Sequence, residues 1–176
     1  EQVTTYVKEQ MGKADELEEG RKRSAVGFAL TALQRRLASS PEAIFQSLKR
    51  RRERLEARLR EARLGARGRQ ALAEVLYGPL PEDDDDLNAE EQEDLEEQLV
   101  DGASASQTTA ELQAEVLVLQ ALQQRAQILV HSGQDRKWDE LSKILQNSPE
   151  MKDGTGRMRK LIVFTEHRDT LNYLHD

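Results

Sequence analysis

The sequence contains no cysteine, which excludes disulfide bonds and cysteine-based metal sites and favours a reducing, cytoplasmic setting. Histidine occurs only three times, so a zinc site is also disfavoured. No window approaches the roughly 18 consecutive apolar residues that a membrane-spanning helix needs, and no charged-then-apolar leader is seen. Aromatic residues make up 4% of the chain and charged residues 34%, a balance that favours long amphipathic helices over a dense aromatic core.

Charge is unevenly distributed along the chain, although the formal net charge is only −7. Residues 21–69 contain 15 Lys and Arg against four Glu. Residues 71–110 contain no Lys or Arg, and most of their carboxylates lie between Glu82 and Asp101. A basic block followed by an acidic block predicts either a surface for polyanions or pairing between the two blocks.

Apolar spacing predicts that the chain is mostly helical. Ser40 is expected to cap the third helix, with Pro41 in its first position, and Thr108 with Glu111 forms a capping-box pattern. The predicted helices are Glu1–Glu19, Ser24–Leu37, Pro41–Leu64, Arg69–Tyr77, Asn88–Val100, Thr108–Val130 and Asp135–Asn147.

Three predicted helices carry apolar stripes that are expected to face other helices. The first stripe is Ile44, Leu48, Leu55 and Leu59, the second includes Leu112, Val116 and Leu119, and the third is Trp138, Leu141, Ile144 and Leu145. All three stripes are predicted to point inward. Trp138, the single tryptophan, is expected to be a core anchor rather than a ligand platform.

The last residues, 160–176, read KLIVFTEHRDTLNYLHD. Leu161–Phe164 is a continuous apolar run after a glycine-containing turn over Asp153–Gly156, a pattern that predicts a strand buried on both faces. The residues that follow predict a helix carrying Leu171 and Leu174. A buried strand followed directly by a helix opens a parallel α/β sheet, so we expect this chain to be cut from a larger one.

This stretch resembles the opening of the second RecA-like lobe, around motif IV, in Swi/Snf-like helicase-related ATPases of superfamily two. Residues 137–145, KWDELSKIL, are similar to the helix that leads into that strand. Residues 29–44, ALTALQRRLASSPEAI, are similar to the helical segment between the lobes in bacterial members, and residues 3–7 look like the chain leaving lobe one. The resemblance implies a prokaryotic ATP-driven translocase as the parent, with ATP and magnesium as its cofactors.

The expected fold is mainly α, a helical bundle or coiled-coil-like arm, with one C-terminal β-strand and helix of an incomplete α/β RecA-like lobe. Four regions follow from this interpretation. They are a basic helical segment after lobe one (1–77), an acidic linker with a short helix (78–109), a helical hairpin leading to lobe two (110–158), and the first strand and helix of that lobe (159–176).

Catalytic motifs are not expected in this chain. A helicase-like ATPase needs a GxxxxGK[ST] loop around the phosphates and an acidic pair for magnesium, and neither pattern is present. Residues 154–156 (GTG) lack the Lys-Ser/Thr partner and are interpreted as a turn. We therefore predict no catalytic residue, no metal site and no cofactor in this chain, and no ATP hydrolysis by the chain alone.

Nine residues are predicted to bind nucleic acid. Arginines spread around one helix must expose most of their guanidinium groups, and such a face attracts phosphates with a steep salt dependence. Because no aromatic residues interleave the basic run, contact with the backbone of double-stranded DNA is favoured over stacking on single strands. The nine are Arg35 and Arg36, then Arg50, Arg51, Arg52 and Arg54, and finally Thr165, His167 and Arg168 beyond the predicted strand.

Each of these assignments has an alternative. The run Arg50–Arg54 is otherwise a solvated face or a dock for the acidic block, and Arg35 with Arg36 could brace lobe one. His167 and Arg168 are otherwise a helix-start pair with surface hydrogen bonds. The acidic block either mimics nucleic acid and covers the basic helix, or is a solubilising loop. The competing function is a protein–protein interaction or self-association arm, acting through the apolar seams or the orphan strand Lys160–Thr165.

Overall fold

The computed structural model describes residues 1–64 and 89–175, and this part of the chain is mainly α-helical. A single 3-10 turn, Pro149–Met151, follows the sixth described helix. Numbered in chain order, the helices are α1 Gln2–Asp15, α2 Gly20–Ser39, α3 Pro41–Arg63, α4 Ala89–Gly102, α5 Thr109–His131, α6 Arg136–Asn147 and α7 Arg168–His175.

Two helix starts follow the capping chemistry of the sequence. The Ser40 hydroxyl accepts a hydrogen bond of 3.0 Å from the backbone N–H of Ala43, and Pro41 is the first residue of α3. At the start of α5, the Thr108 hydroxyl accepts from Glu111 N–H and the Glu111 carboxylate accepts from Thr108 N–H, both at 3.2 Å. Both predicted caps are confirmed.

The long helices α3 and α5 pack along each other and carry much of the apolar core. Leu48 and Leu55 of α3 and Leu119 of α5 are completely buried. The predicted apolar seams of these two helices are confirmed, because all the residues named for them are buried. Burial of such stripes is the main favourable contribution to helix packing. Helices α1 and α2 close the core with Val7, Val26, Leu30 and Leu33.

Residues 103–106 connect α4 to α5 and are buried, although they are small and partly polar. Ala103 and Ala105 join the apolar core. Ser104 and Ser106 direct their hydroxyls to the carboxylate of Glu115 on α5. The segment that composition predicts to be a plain linker is therefore part of the interior.

The predicted C-terminal β-strand is wrong. The described residues contain no strand, and Leu161–Phe164 has irregular backbone with Ile162 76% and Phe164 91% exposed. A strand satisfies its backbone groups by pairing with a neighbour, and no neighbouring strand lies within the described ranges. The fold class is corrected accordingly: residues 1–64 and 89–175 are mainly helical without an α/β part, although a helix, α7, does follow the apolar run.

The glycine-containing turn before this run is confirmed. Asp153 Oδ1 accepts hydrogen bonds from the backbone N–H groups of Thr155 at 2.8 Å and Arg157 at 3.0 Å. Gly156 has φ of 80°, in the left-handed region that glycine adopts without steric cost. An isolated antiparallel bridge between Lys152 and Met158 closes the turn.

The predicted inward orientation of α6 is also wrong. The Asp135 carboxylate caps the helix as expected for a helix start, but no residue of α6 is buried. Trp138 is 44% and Ile144 52% exposed, so the tryptophan is not a core anchor. Helical periodicity shows which apolar residues share a face, but it does not supply the surface that covers them. The stripe of α6 is therefore only partly covered, with Leu141 and Leu145 half-buried and Trp138 and Ile144 exposed.

Two predictions concern residues outside the described ranges. These are the short helix Arg69–Tyr77 and the first part of the acidic linker, residues 78–88. Among the residues that are described, no helix combines the length and apolar character that crossing a bilayer requires.

Candidate nucleic-acid interface

The nine residues predicted to bind nucleic acid differ widely in exposure, so the basic run of α3 does not form one solvated face. Arg36, Arg51 and His167 are buried, Arg50, Arg52, Thr165 and Arg168 are partly buried, and Arg35 and Arg54 are exposed.

Arg51 lies inside the helical core with 1% of its surface exposed. Its Nη2 donates to Glu115 Oε1 of α5 at 3.0 Å, and its Nε donates to the Tyr6 hydroxyl of α1 at 2.9 Å. Its Nη1 donates to the backbone carbonyl of Val100 at the end of α4. One guanidinium therefore ties three helices to α3, and it is not available to a phosphate.

Glu115 completes this polar core. Its carboxylate accepts hydrogen bonds from Tyr6 Oη at 2.7 Å and from the Ser106 hydroxyl at 3.0 Å, as well as from Ser104. Burial favours the neutral acid, but the charge of Arg51 and these hydrogen bonds outweigh burial and lower the Glu115 pKa. Burial raises the pKa of Tyr6, so its phenol stays neutral and donates to the carboxylate.

Arg58 lies further along α3 and holds the same end of α4. Its Nη1 donates to the backbone carbonyl of Gly102, a group that has no partner within its own helix. Burial and the positive charge of Arg51 lower the pKa of Arg58 to about 10, so it remains charged at neutral pH. Together, Arg51 and Arg58 fasten the C-terminal end of the acidic helix.

Arg36 braces α2 against two other helices. Its Nη1 donates to the Ser47 hydroxyl of α3 at 3.0 Å and lies 3.8 Å from Glu97 Oε1 of α4. Only 2% of the Arg36 side chain is exposed. Like Arg51, it is committed to contacts inside the described molecule.

Arg50 connects α3 with both α4 and α7. Its Nη1 and Nη2 donate to the two carboxylate oxygens of Asp169 at 3.3 and 2.9 Å, a bidentate pair. The same guanidinium lies 3.1 Å from Glu97 and 3.6 Å from Asp101. Burial disfavours its charged form, but hydrogen bonding to Asp169 and the three carboxylates outweigh burial and raise the Arg50 pKa.

Asp101 is the least satisfied carboxylate near Arg50. It is buried, and no described residue donates a hydrogen bond to its Oδ1. Burial raises its pKa to about 6, although the charges of Arg50, Arg36 and Arg54 act in the opposite direction. The proximity of arginines therefore does not fully offset the loss of hydration.

The remaining arginines of the run lie on different sides of α3. Arg52 reaches Gln123 of α5 at 2.6 Å and Glu56 of its own helix at 2.7 Å. Arg54 is exposed and lines, with Arg50, an open groove of about 510 Å³ between α3 and α4. The α4 side of the groove carries Asp94, Glu97 and Asp101.

The C-terminal segment attaches to the helical body through charged groups. Arg35 at the end of α2 forms an ion pair with Glu166, and Arg168 Nη2 donates to Asp94 of α4 at 3.1 Å. The bidentate contact between Arg50 and α7 is the third of these pairs. We call four of these residues the arginine cluster: Arg35, Arg50, Arg54 and Arg168. Arg50 and Arg54 line the groove, and Arg35 and Arg50 contact Glu166 and Asp169 around the start of α7. Arg168 contacts Asp94 on the α4 side of the groove.

Neutral groups complete the attachment of α7. The Thr170 hydroxyl lies 2.7 Å from the Ser39 hydroxyl and 2.9 Å from the Ser40 hydroxyl. Thr165 Oγ1 accepts from the backbone N–H of His167 at 3.4 Å, and the buried His167 ring lies 4.0 Å from a Glu166 oxygen. Both predicted residues therefore make contacts around the start of α7.

The polar core was missed by the sequence analysis, although the sequence contains one signal for it. The apolar seam of α3 skips from Leu48 to Leu55, a gap of seven residues. A helix that is buried along its length must place a residue in that gap, and both Arg51 and Arg52 are at helical spacing from the two leucines, so the gap indicates a buried arginine without deciding between them. Nothing in the local pattern identifies Glu115 as its partner, because the two residues are far apart in sequence.

Comparison of the chain with family models, with curated proteins and with solved structures found no match. Within residues 1–64 and 89–175, no group of His and carboxylate side chains is arranged to hold a metal ion.

Proposed function

We propose that this chain is the inter-lobe helical region of an ATP-dependent DNA translocase that resembles the Swi/Snf-like ATPases. Its role is to couple the two RecA-like lobes and to contact the duplex backbone. The observation that carries the proposal is the apolar run Leu161–Phe164, which stays exposed next to a helix that is fastened to the body.

An exposed run of this kind marks a surface that another element covers. Ile162 and Phe164 make little contact with the described chain, and the stripe of α6 adds Trp138 and Ile144 to the uncovered apolar area. In the resembled family, the corresponding segments belong to the second lobe, whose remaining strands and helices would cover them.

Contacts at the corner between α2 and α3 support the coupling role. A small apolar pocket of about 120 Å³ lies between α6 and α7 and includes Trp138, Tyr173 and Leu174 in its lining, beside Ser40. Lys137 of α6 donates to the backbone carbonyl of Ala38 at the end of α2. Both helices that precede or follow the apolar run therefore contact the same corner of the body.

The duplex contact is assigned to the arginine cluster, because its members reach the surface. Arg36 and Arg51 are excluded from this role by their burial, and Arg52 is engaged with α5. Guanidinium groups bind phosphate oxygens well, and this contact is independent of base sequence. ATP and magnesium are assigned to the parent's lobes, outside this chain.

The first experiment measures binding of the chain to a short labelled DNA duplex by fluorescence anisotropy across a salt titration. We expect wild type to bind with a steep salt dependence, and Arg54→Ala to weaken binding and lower the slope of log affinity against log salt by about 0.9. The matched control is Arg125→Ala, which removes an exposed arginine from α5. Absence of binding at low salt, or equal losses in both variants, would contradict the duplex contact.

The same exposed run favours a second candidate, a self-association or protein–protein interaction arm. Light scattering over a range of protein concentrations separates the two. The translocase proposal expects a mass that does not depend on concentration. A concentration-dependent mass that Phe164→Ser abolishes, together with no duplex binding, would favour the interaction arm.

A further inference from the structure

The arginines best placed to meet a phosphate backbone are already bound by carboxylates of the C-terminal segment. Glu166 pairs with Arg35, and Asp169 forms the bidentate contact with Arg50. We infer that a nucleic-acid backbone competes with Glu166 and Asp169 for Arg35 and Arg50, so that duplex binding releases α7 from the helical body. This inference rests on the proposed duplex contact and states how that contact is regulated.

Carboxylate and phosphate are interchangeable partners for a guanidinium. Both present two oxygens at a spacing that matches the planar fork of arginine. Asp169 already occupies Arg50 in this bidentate manner, with donor–acceptor distances of 2.9 and 3.3 Å. A phosphate that displaces Asp169 would accept from the same two donors, while Glu97 and Asp101 stay beside the guanidinium.

Exposure makes this exchange feasible at the start of α7 but not in the core. The side chains of Arg35 and Glu166 are 44% and 60% exposed, so water and ligands reach the pair. Arg50 and Asp169 are less exposed, at 27% and 17%, but Arg50 lines the groove together with the exposed Arg54. Arg51 and Glu115, in contrast, are each 1% exposed and are beyond the reach of a duplex. A polyanion therefore meets the outer pairs and leaves the core intact.

The ion pairs contribute to the attachment of α7 together with Tyr173 and Leu174, which are half-buried and line the pocket next to α6. The helix has eight residues, and Thr170 is its buried one. Apart from the ion pairs, its hydrogen bonds to the body include those between the Thr170 hydroxyl and Ser39 and Ser40. Loss of the pairs would also leave Glu166 and Asp169 facing a polyanion of the same charge, which favours separation further.

Arg168 forms an ion pair in which the arginine, and not the carboxylate, belongs to α7. Its partner is Asp94 of α4, and the two side chains are 41% and 56% exposed. Once α7 moves, the Arg168 guanidinium is able to contact the phosphate backbone instead of Asp94. The same event would shift the apolar run that precedes α7, which in the proposed parent belongs to the second lobe.

Hydrogen–deuterium exchange of wild type, with and without the short duplex, tests the release directly. We expect the amides of residues 168–175 to exchange faster when the duplex is bound. The amides of α3 and α5 should keep their protection, because the Arg51 core is not exposed to the ligand.

A double variant that replaces both carboxylates with neutral amides tests the competition. Glu166→Gln with Asp169→Asn removes the two competing carboxylates of the C-terminal segment, while Glu97 and Asp101 remain beside Arg50. The variant should bind the duplex roughly two- to tenfold more tightly and gain up to about 0.9 in salt slope for each arginine that binds a phosphate. The control is Glu9→Gln with Glu150→Gln, which removes two exposed negative charges from α1 and from the 3-10 turn. We expect this control to bind nearly as wild type does.

The possible results separate the two proposals. If wild type binds but residues 168–175 keep their protection and the double variant binds no more tightly than its control, the exchange mechanism is overturned and the duplex contact stands. If wild type does not bind at low salt, the duplex contact fails even where the double variant binds, and the exchange mechanism that rests on it fails as well. If no variant binds at low salt, both proposals fail.

Discussion

Arg51 and Glu115 form a charged pair in the interior, where desolvation is costly. Removing two ions from water is compensated only when their geometry and additional hydrogen bonds are good. Here Tyr6, Ser104 and Ser106 supply those bonds, and Arg51 also donates to Val100. The pair therefore contributes less through its own strength than through the penalty for separating it.

Removal of one partner should expose that penalty. We expect Glu115→Ala to lower the free energy of unfolding by about 3–5 kcal/mol, because it leaves the Arg51 guanidinium buried without its anion. Urea denaturation provides the measurement. As a control, Glu140→Ala removes the exposed partner of Lys143 and should cost less than about 1 kcal/mol. Equal losses would show that the buried network has no special weight.

Asp101 should make stability depend on pH. Its pKa is raised from 3.8 to about 6 in the folded chain, so between these values the folded state retains a proton that the unfolded state has lost. The free energy of unfolding therefore decreases as pH rises through this window, and the penalty is complete above pH 6.

Asp101→Asn removes this titration. The stability of the variant relative to wild type should increase by about 1–3 kcal/mol between pH 4 and pH 7. Urea denaturation at a series of pH values measures it, with Glu150→Gln as the exposed control. A constant difference across the range would mean that Asp101 is not shifted as the geometry indicates.

At the scale of helices, local sequence predicted most of what was observed. Ser40 with Pro41 and Thr108 with Glu111 identified two starts, because capping needs only neighbouring residues. The seams of α3 and α5 were also identified, because period alone defines them. The strand at Leu161–Phe164 was not, since an apolar run becomes a strand only when another strand pairs with it.

The candidate site was less predictable than the helices. The sequence showed a cluster of arginines on α3 but not which of them turn inward. Arg51 and Arg50 are adjacent, yet one is enclosed by Glu115 and the other borders an open groove. Their difference is set by residues far away in the chain, which a local pattern does not contain.

Helix α6 differs from α5 in how much its residues contribute to stability. Trp138→Ala should lower the free energy of unfolding by less than a truncation in the core does, because 44% of that side chain is exposed in the folded chain. Leu119→Ala, in α5, should cost about 2–5 kcal/mol, because it leaves a cavity in the core. Urea denaturation of both variants checks this contrast. A larger loss for Trp138→Ala than for Leu119→Ala would mean that other residues cover Trp138 in the folded chain.

At the scale of the whole molecule, charge pairs of two kinds hold different parts together. The pair of Arg51 with Glu115 is enclosed, whereas the pair of Arg35 with Glu166 is in contact with solvent. Salt screens exposed charges over about 8–10 Å at physiological ionic strength, but it screens enclosed charges much less. The two kinds should therefore respond differently to ionic strength.

Raising sodium chloride from about 0.05 M to about 1 M should accelerate amide exchange in residues 168–175 without DNA. Exchange in α3 and α5 should change little over the same range. Exchange measured by mass spectrometry distinguishes the regions. Uniform acceleration along the chain would indicate that the core pair is also open to solvent, and no acceleration at all would indicate that α7 is held by contacts other than its ion pairs.

The polar core also sets an order of events during synthesis. Arg51 and Glu115 are separated by 64 residues, and Tyr6 and Glu115 by 109. At translation rates of about 5–20 residues per second, Arg51 leaves the ribosome roughly 3–13 s before its anion does. During that interval the first three helices can form, but their central cation has no carboxylate from α5. The nascent chain therefore remains an incomplete bundle until residue 115 emerges, and its helices close around Arg51 only then.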